Sequence, residues 1–289
     1  MKAELFNIEG KKIKSIDLPS QFDTPYRPEL IKRAVLVVQK NRRQPYGADP
    51  MAGKRASAEL SRRRRKYRGS YGKGISRVPR KILSRRGSQM YMVGAFAPGT
   101  VGGRRAHPPK AEKDWTLKMN TKERRLAISS AIAATANKTL VTKRGHITEI
   151  TPIILDTRAE EMSKTKDVIA LMNKLNLGKE LERAAIKKVR AGKGKNRGRK
   201  YKKRKGPLFV VSNKCNLSRA AKNIPGVDIK NVNLLNAELL APGTVAGRLT
   251  IYTAAALEKL DKEKLFLNVQ TEKETKKVVK KAVKKESKE

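Results

Sequence analysis

Two runs of this 289-residue sequence hold side chains whose types and spacing can do chemistry, and that chemistry is the gripping of phosphates and the stacking of bases. Residues 42–110 carry Arg42, Arg43, Lys54, Arg55, Arg62, Arg63, Arg64, Arg65, Lys66, Arg68, Lys73, Arg77, Arg80, Lys81, Arg85, Arg86, Arg104, Arg105 and Lys110, opposed only by Asp49 and Glu59. Arginine predominates, and its planar fork pairs two phosphate oxygens or lies on a base. Tyr46, Tyr67, Tyr71 and Tyr91 sit among these cations and offer stacking faces. The second run, from Lys187 to Lys205, contains no acid and is rich in lysine, a point-charge binder of phosphate. From it Lys193, Lys195, Arg197, Arg199, Lys200, Lys202, Lys203, Arg204 and Lys205 join the candidate RNA contacts. So do the cations of the first run with Tyr46, Tyr67, Tyr71 and His107, a loop histidine before Pro108-Pro109.

The remaining chemistry is thin. Lys and Arg number 69 against 26 Asp and Glu, a net charge of +43, and self-repulsion on that scale disfavours a compact state unless a polyanion neutralises it. A Walker loop needs four residues between its glycines and then Lys-Ser/Thr, whereas Gly47 to Gly53 encloses five and Lys54 precedes Arg55. Neither Asp156-Thr157-Arg158-Ala159 nor Ser212-Asn213-Lys214-Cys215, which follow two strand candidates, contains the glycine of a dinucleotide turn. Gly69-Ser70-Tyr71-Gly72 lacks the spacing of a nucleophile elbow. His107, His146 and Cys215 make no zinc set, and Asp156, Glu160 and Glu161 read as helix-capping or solvated groups. The expectation is no catalytic residue, no metal and no cofactor.

Lone Cys215 rules out an intrachain disulfide and fits a reducing cytosol. The charged N-terminus is no signal peptide, and no uncharged run approaches the ~20 apolar residues of a membrane span. Two other classes stay open on these grounds: an RNA-modifying or RNA-cleaving enzyme with basic arms, and a DNA-compacting or regulatory RNA-binding protein.

The elements that must hold the two basic runs are legible around them. Residues 2–8 and 12–18 read as strands about Glu9-Gly10, and Pro28 opens a helix. Asn120, with Glu123 three residues on, reads as the capping box of an Ala-rich helix to about Asn137. Thereafter short apolar strands at 152–155, 208–211, 227–229 and 249–252 alternate with helical patterns at 165–175, 179–189, 217–223, 235–240 and 254–260. Alternation of this kind predicts an α/β fold, a mainly parallel sheet with flanking helices in three layers. Residues 1–41 and 111–265 then form one globular domain, 42–110 a long irregular basic internal loop, 187–206 a second basic loop, and 266–289 a solvated Lys/Glu-rich tail.

Ordering the 42–110 stretch costs roughly 1–2 kcal/mol per residue in backbone entropy, and its one apolar run, Met90 to Ala97, is too short to offset that. It therefore stays disordered or orders against an external surface. Deleting residues 56–90 is expected to leave the globular domain folded.

Several ordered strings carry a resemblance. Gln44-Pro45-Tyr46-Gly47-Ala48-Asp49-Pro50-Met51-Ala52-Gly53 comes first, followed by Gly102-Gly103-Arg104-Arg105-Ala106-His107-Pro108-Pro109-Lys110. Gly192-Lys193-Gly194 with Arg197-Gly198-Arg199 follow, then Leu239-Leu240-Ala241-Pro242-Gly243-Thr244 and Gly247-Arg248-Leu249-Thr250-Ile251. Together they resemble the large-subunit ribosomal protein L-four (universal L-four) family over residues 1–265, and the absence of a longer C-terminal extension looks archaeal. The resemblance implies a cytoplasmic structural constituent of the large ribosomal subunit that binds its ribosomal RNA. It also implies that the long loop, near residues 66–80, helps to line the nascent-peptide exit tunnel. The implied partners are that RNA, the passing nascent peptide and neighbouring ribosomal proteins including the L-twenty-two protein, with no membrane and no homo-oligomer.

Overall fold

The computed structural model describes residues 1–66 and 69–268. Candidate contacts Tyr67 and Arg68, and the tail from residue 269 on, lie outside the described residues.

The first strands, β1 (Lys2–Phe6) and β2 (Lys12–Asp17), pair antiparallel and lead into helix α1 (Pro28–Asn41). After β3 (Arg80–Arg86) and β4 (Gln89–Gly94), the helices α2 (Thr121–Ala136) and α3 (Lys138–Lys143) precede β5 (Ile153–Leu155). Then come α4 (Thr165–Lys174), α5 (Gly178–Ala185), β6 (Lys187–Val189), β7 (Tyr201–Lys203), β8 (Leu208–Val211) and α6 (Leu217–Ala220). The remaining elements are β9 (Asp228–Asn231), α7 (Ala237–Leu240), β10 (Thr250–Thr253) and α8 (Ala254–Lys262). The main sheet runs β2-β1-β5-β10-β8-β9, parallel throughout except for the β1–β2 pair. The chain is thus α/β with a mainly parallel central sheet between helices.

Strand periodicity explains the two cores. Successive strand side chains point to opposite faces, so Ile154, Leu208, Val210 and Tyr252 join one apolar cluster while Ile153, Leu155, Phe209, Val211 and Ile251 join the other. The first face is covered by α1, α2, α7 and α8 through residues such as Ile31, Ile132, Leu240 and Leu257. Val168, Leu171 and Met172 of α4, with Leu217 of α6, cover the second. Burial on both faces is why β5 and β8 read as unbroken apolar runs. Helix α2 is buried almost all round from Ala127 onward, and its hydroxyls there are matched internally: Ser130 Oγ donates to Pro25 O at 2.9 Å and Ser129 Oγ to Phe266 O at 2.7 Å.

Four expectations need correction. Asn120 occupies the N-cap of α2, but its side chain makes no cap bond, and Glu123 instead pairs with Arg33 at 2.9 Å. An arginine on the neighbouring helix outcompetes a backbone amide for that carboxylate. The helical pattern of 179–189 stops at Ala185, because Ile186 turns extended and Lys187–Val189 pair with Tyr201–Lys203 as a ribbon. Residues 80–94, read as irregular, form a hairpin in which Arg80 faces Gly94 and Arg86 faces Gln89. Arginine and lysine on both of its faces hide the alternation by which a strand is normally read. Glu160 is not a solvated helix residue: it accepts Ser212 N at 2.8 Å, Ser212 Oγ at 2.7 Å and Thr253 Oγ1 at 2.6 Å, tying together the carboxyl ends of β8 and β10.

Contacts group the described residues into two compact units, Arg43–Trp115 and the remainder. Within the larger unit, Asn41 Nδ2 donates to Leu117 O at 3.1 Å and Leu117 N donates back to Asn41 Oδ1 at 2.8 Å. The chain therefore leaves and re-enters the α/β unit at one point. Loop closure depends only weakly on loop length. Excising Arg43–Trp115, which removes the hairpin whole, and joining the ends with a short glycine-rich linker is expected to leave the α/β unit with a single cooperative urea transition. Loss of cooperativity would show that the core depends on the excised residues.

Candidate nucleic-acid interface

In the Arg43–Trp115 unit the two limbs of the chain run backbone against backbone at their root. Ala48 N donates to Pro109 O at 2.9 Å. Gly53 has φ +75°, and a Cβ there would lie 2.4 Å from the Gly103 carbonyl carbon, so only glycine allows this approach. Beside it Tyr46 stacks on Trp115 with ring centroids 4.7 Å apart, and the Arg43 guanidinium lies 4.8 Å from the tyrosine ring centre and 5.0 Å from the indole. Further along, Arg64 and Arg77 both sit over Tyr71, at 5.3 and 5.8 Å. The structure thus brings arginine and tyrosine into stacked sets, which align a guanidinium with its fork still open.

The two acids of the run are taken up locally, Asp49 by Arg55 and Glu59 by Lys66. Arg80 turns back on its own chain, donating to Ser76 O at 2.5 Å and to Ser76 Oγ at 2.9 Å. Arg80 and Lys81 are half-buried. Arg42 pairs with Glu238 at 2.8 Å. Arg43, Lys54, Arg62, Arg63, Arg64, Arg65, Tyr71, Lys73, Arg77, Arg85, Arg86, Arg104, Arg105, His107 and Lys110 all stand exposed.

The Lys-rich run is a two-stranded ribbon, β6 against β7, closed by a 3-10 turn at Lys193–Arg197. Arg190 Nε donates to Arg199 O at 3.1 Å across it, and Lys187 Nζ lies 3.7 Å from the Tyr201 ring centre. Lys193, Lys195, Arg197, Arg199, Lys200, Lys202, Lys203, Arg204 and Lys205 are exposed along it.

The root of the ribbon is pinned by two buried charge clusters. Arg248 is wholly buried. It donates from Nε to Gly206 O at 2.9 Å, from Nη1 to Leu239 O at 3.0 Å, and from Nη2 to Pro207 O at 3.3 Å and Asp228 Oδ2 at 2.7 Å. Lys205 reaches the same Asp228 oxygen at 2.9 Å. Burial pulls the Arg248 guanidinium below its ordinary value, and Asp228 draws it back.

In the second cluster Glu180 accepts from His146 Nδ1 at 2.7 Å, from Arg183 Nη2 at 2.6 Å and Nε at 2.7 Å, and from Ile147 N at 3.1 Å. Arg183 Nη2 also donates to Lys205 O at 2.8 Å. Burial opposes ionisation of Glu180, yet the bonds from Arg183 and His146 outweigh it and hold the carboxyl below the ordinary 4.5. Burial pulls His146 below 6.5 despite Glu180, and the positive charges of Arg183 and Arg144 act the same way.

A cavity of about 940 Å³ opens over this root, walled by Lys143, Arg144, Arg183, Lys188 and the Lys202–Lys205 run. Burial, then Arg248 and Arg183, bring Arg144 down to about 10. A recess in which cations crowd one another in this way is suited to an anion. Sequence reasoning missed Lys143, Arg144 and Arg183 as members of this surface. Lys143-Arg144-Gly145-His146 is a short basic string outside both runs, and it was the available signal. Trp115 was missed as well, being five residues past the run it stacks into.

Among the described residues no group of three or more His, Cys, Asp or Glu could hold a metal ion, and no helix is long and apolar enough to cross a membrane.

Comparison with known proteins adds the lineage. The family described as "Ribosomal protein L4/L1 family" matches residues 16–263. The chain is 53% identical over 268 residues to the large ribosomal subunit protein uL4 of Nanoarchaeum equitans, covering 92% of this chain and 100% of that protein. It is 48% identical over 268 residues to the protein of the same name from Methanocaldococcus jannaschii, covering 90% of this chain and 98% of that one. Against that of Archaeoglobus fulgidus it is 45% identical over 262 residues, covering 90% and 98%.

Proposed function

Because the chain belongs to the ribosomal protein L4/L1 family, we propose that it is a structural constituent of the large ribosomal subunit in the cytoplasm, binding large-subunit ribosomal RNA through two basic extensions. The observation that carries this reading is the exposure of cations along both extensions, where the two acids of the first are already engaged and the second has none. Arginine forks and lysine ammoniums neutralise phosphates where RNA segments pack closely, and stacked arginine–tyrosine sets hold the forks ready. Recognition rests on RNA tertiary shape more than on base sequence. The long extension, residues 42–110, reaches into the RNA, and its part near residues 66–80 helps to line the nascent-peptide exit tunnel opposite the L-twenty-two protein. The protein acts as one copy, with no membrane contact.

Each neutralised phosphate releases counterions, so log affinity falls with log salt at a slope of roughly −0.7 to −0.9 per contact. Replacing Lys193, Lys195 and Arg197 together by alanine is expected to flatten that slope by about two to three and to weaken binding to large-subunit RNA at low salt. An unchanged slope, measured by filter binding, would remove the ribbon from the interface. Sedimentation of a cell lysate tests the whole reading: the protein is expected in the large-subunit peak at low salt, and its absence there would overturn it.

A further inference from the structure

The root of the long extension carries a feature that phosphate pairing does not use. A cleft of about 690 Å³ opens there, walled by Tyr46, Arg105, His107, Lys110, Lys113 and Trp115. Two of these are the stacked aromatic pair, and Lys113 Nζ lies 5.3 Å from the indole centre. The Trp115 Nε1–H is buried and has no hydrogen-bond partner among the described residues. No carboxylate lines the cleft among those residues.

We propose that this cleft takes an unpaired nucleobase of the RNA, stacked against the Tyr46–Trp115 pair, with its flanking phosphates on Arg105, Lys110 and Lys113. Two observations converge on that occupant. An aromatic pair at the edge of an open cleft, its ring centroids 4.7 Å apart and its planes inclined by 30°, offers ring faces to a planar π-ligand, and bases stack on such faces with little regard to sequence. A wall with three cations and no acid places positive charge where the sugar–phosphate chain must pass on either side of a splayed base. A paired base in an A-form helix exposes neither its face nor its Watson–Crick edge, so the cleft selects loops, bulges or strand ends.

The inference rests on the RNA-binding reading above, and one titration separates the two. Trp115 is the only tryptophan in the chain, so its emission reports on this cleft alone. The full-length protein is titrated at fixed salt with a short fluorescently labelled single-stranded RNA of mixed sequence, and separately with the same RNA fully paired. Label anisotropy gives binding, and indole emission gives occupancy. Both RNAs are expected to bind, and only the single strand to quench Trp115 strongly. Trp115→Ala is expected to weaken single-strand binding by on the order of tenfold and duplex binding far less, and Tyr46→Ala to reduce the quenching. Trp115→Phe, which keeps a smaller ring face, falls between.

Binding of both RNAs without quenching, or equal quenching by both, sinks the base site and leaves RNA binding standing. Failure of either RNA to bind at low salt sinks both. Matching thermal unfolding of the variants and the parent excludes misfolding as the cause.

Discussion

Replacement of Arg248 by methionine is expected to destabilise the α/β unit by about 3–5 kcal/mol, the cost of breaking a buried charge network from one side. The side chain is completely buried and spends its donors on the carbonyls of Gly206, Leu239 and Pro207 and on Asp228. Methionine fills similar volume but donates nothing, so Gly206 O and Leu239 O lose that donor and Asp228 keeps only Lys205. Unsatisfied buried acceptors each cost about 1–3 kcal/mol, which reaches the same range by a second route. Lysine in place of arginine restores one point charge but not the fork, and should recover part of the loss. Urea titration at neutral pH reads both values. A methionine variant within 1 kcal/mol or so of the parent would mean that the network contributes little. Because Gly206 and Pro207 follow the ribbon directly, the same variant is also expected to loosen its root, seen as faster hydrogen exchange in residues 201–205.

Glu180→Ala should produce the second large effect, again about 3–5 kcal/mol, lowering the melting temperature on the order of 10 °C for a unit of this size. Its carboxylate is the acceptor for His146, Arg183 and Ile147 N, and without it Arg183 and His146 face each other uncompensated. The cluster also sets a pH dependence. His146 is held below 6.5 in the folded state, so below that value the unfolded chain binds more protons than the folded one. Its contribution is present above pH 6.5 and is lost as pH falls through the folded value. Glu180, held below 4.5, adds a second loss at lower pH with the same sign. His146→Asn keeps an N–H donor toward Glu180 without a titrating ring. It is expected to abolish the loss of stability that begins near pH 6.5 and to leave the more acid one in place. Equal pH profiles for this variant and the parent would exclude His146 as the origin.

Much of the architecture was legible from local pattern. The strands at 153–155 and 208–211 are continuous apolar runs because both sheet faces are covered, the strand at 250–253 is equally buried with Ile251 and Tyr252 between threonines, and their alternation with helical periods leads directly to the parallel order. The extensions were legible as charge. What escaped was pairing: β3, β6 and β7 carry cations on both faces, so none of them shows an apolar side to read, and the short apolar β4 had no legible partner. Helix α5 was overextended because Val189 fits a helical spacing, yet it is exposed in a ribbon. Of the candidate contacts, Arg42, Arg55, Lys66 and Arg80 gave no sequence sign that partners inside the protein would take them up.

The amino-acid sequence by itself determined the α/β class, the surplus of +43 and its concentration in two runs. Composition and periodicity are local quantities, and these properties follow from them. Tertiary structure alone decided which charges are buried and spent and which are left for a ligand. Arg248 stands in an apolar strand entry, Glu180 and Arg183 in a short helix and His146 after a glycine turn, far apart along the chain. Only the crossing of β10 beside β8 and the return of the ribbon bring them under one root. Likewise Tyr46 and Trp115 lie at opposite ends of a long excursion and stack where its limbs close, Gly53 lying so near the Gly103 backbone that any side chain there would hold the limbs apart. Contacts between residues far apart in the chain depend on chain closure and excluded volume, and no window of neighbouring residues contains them.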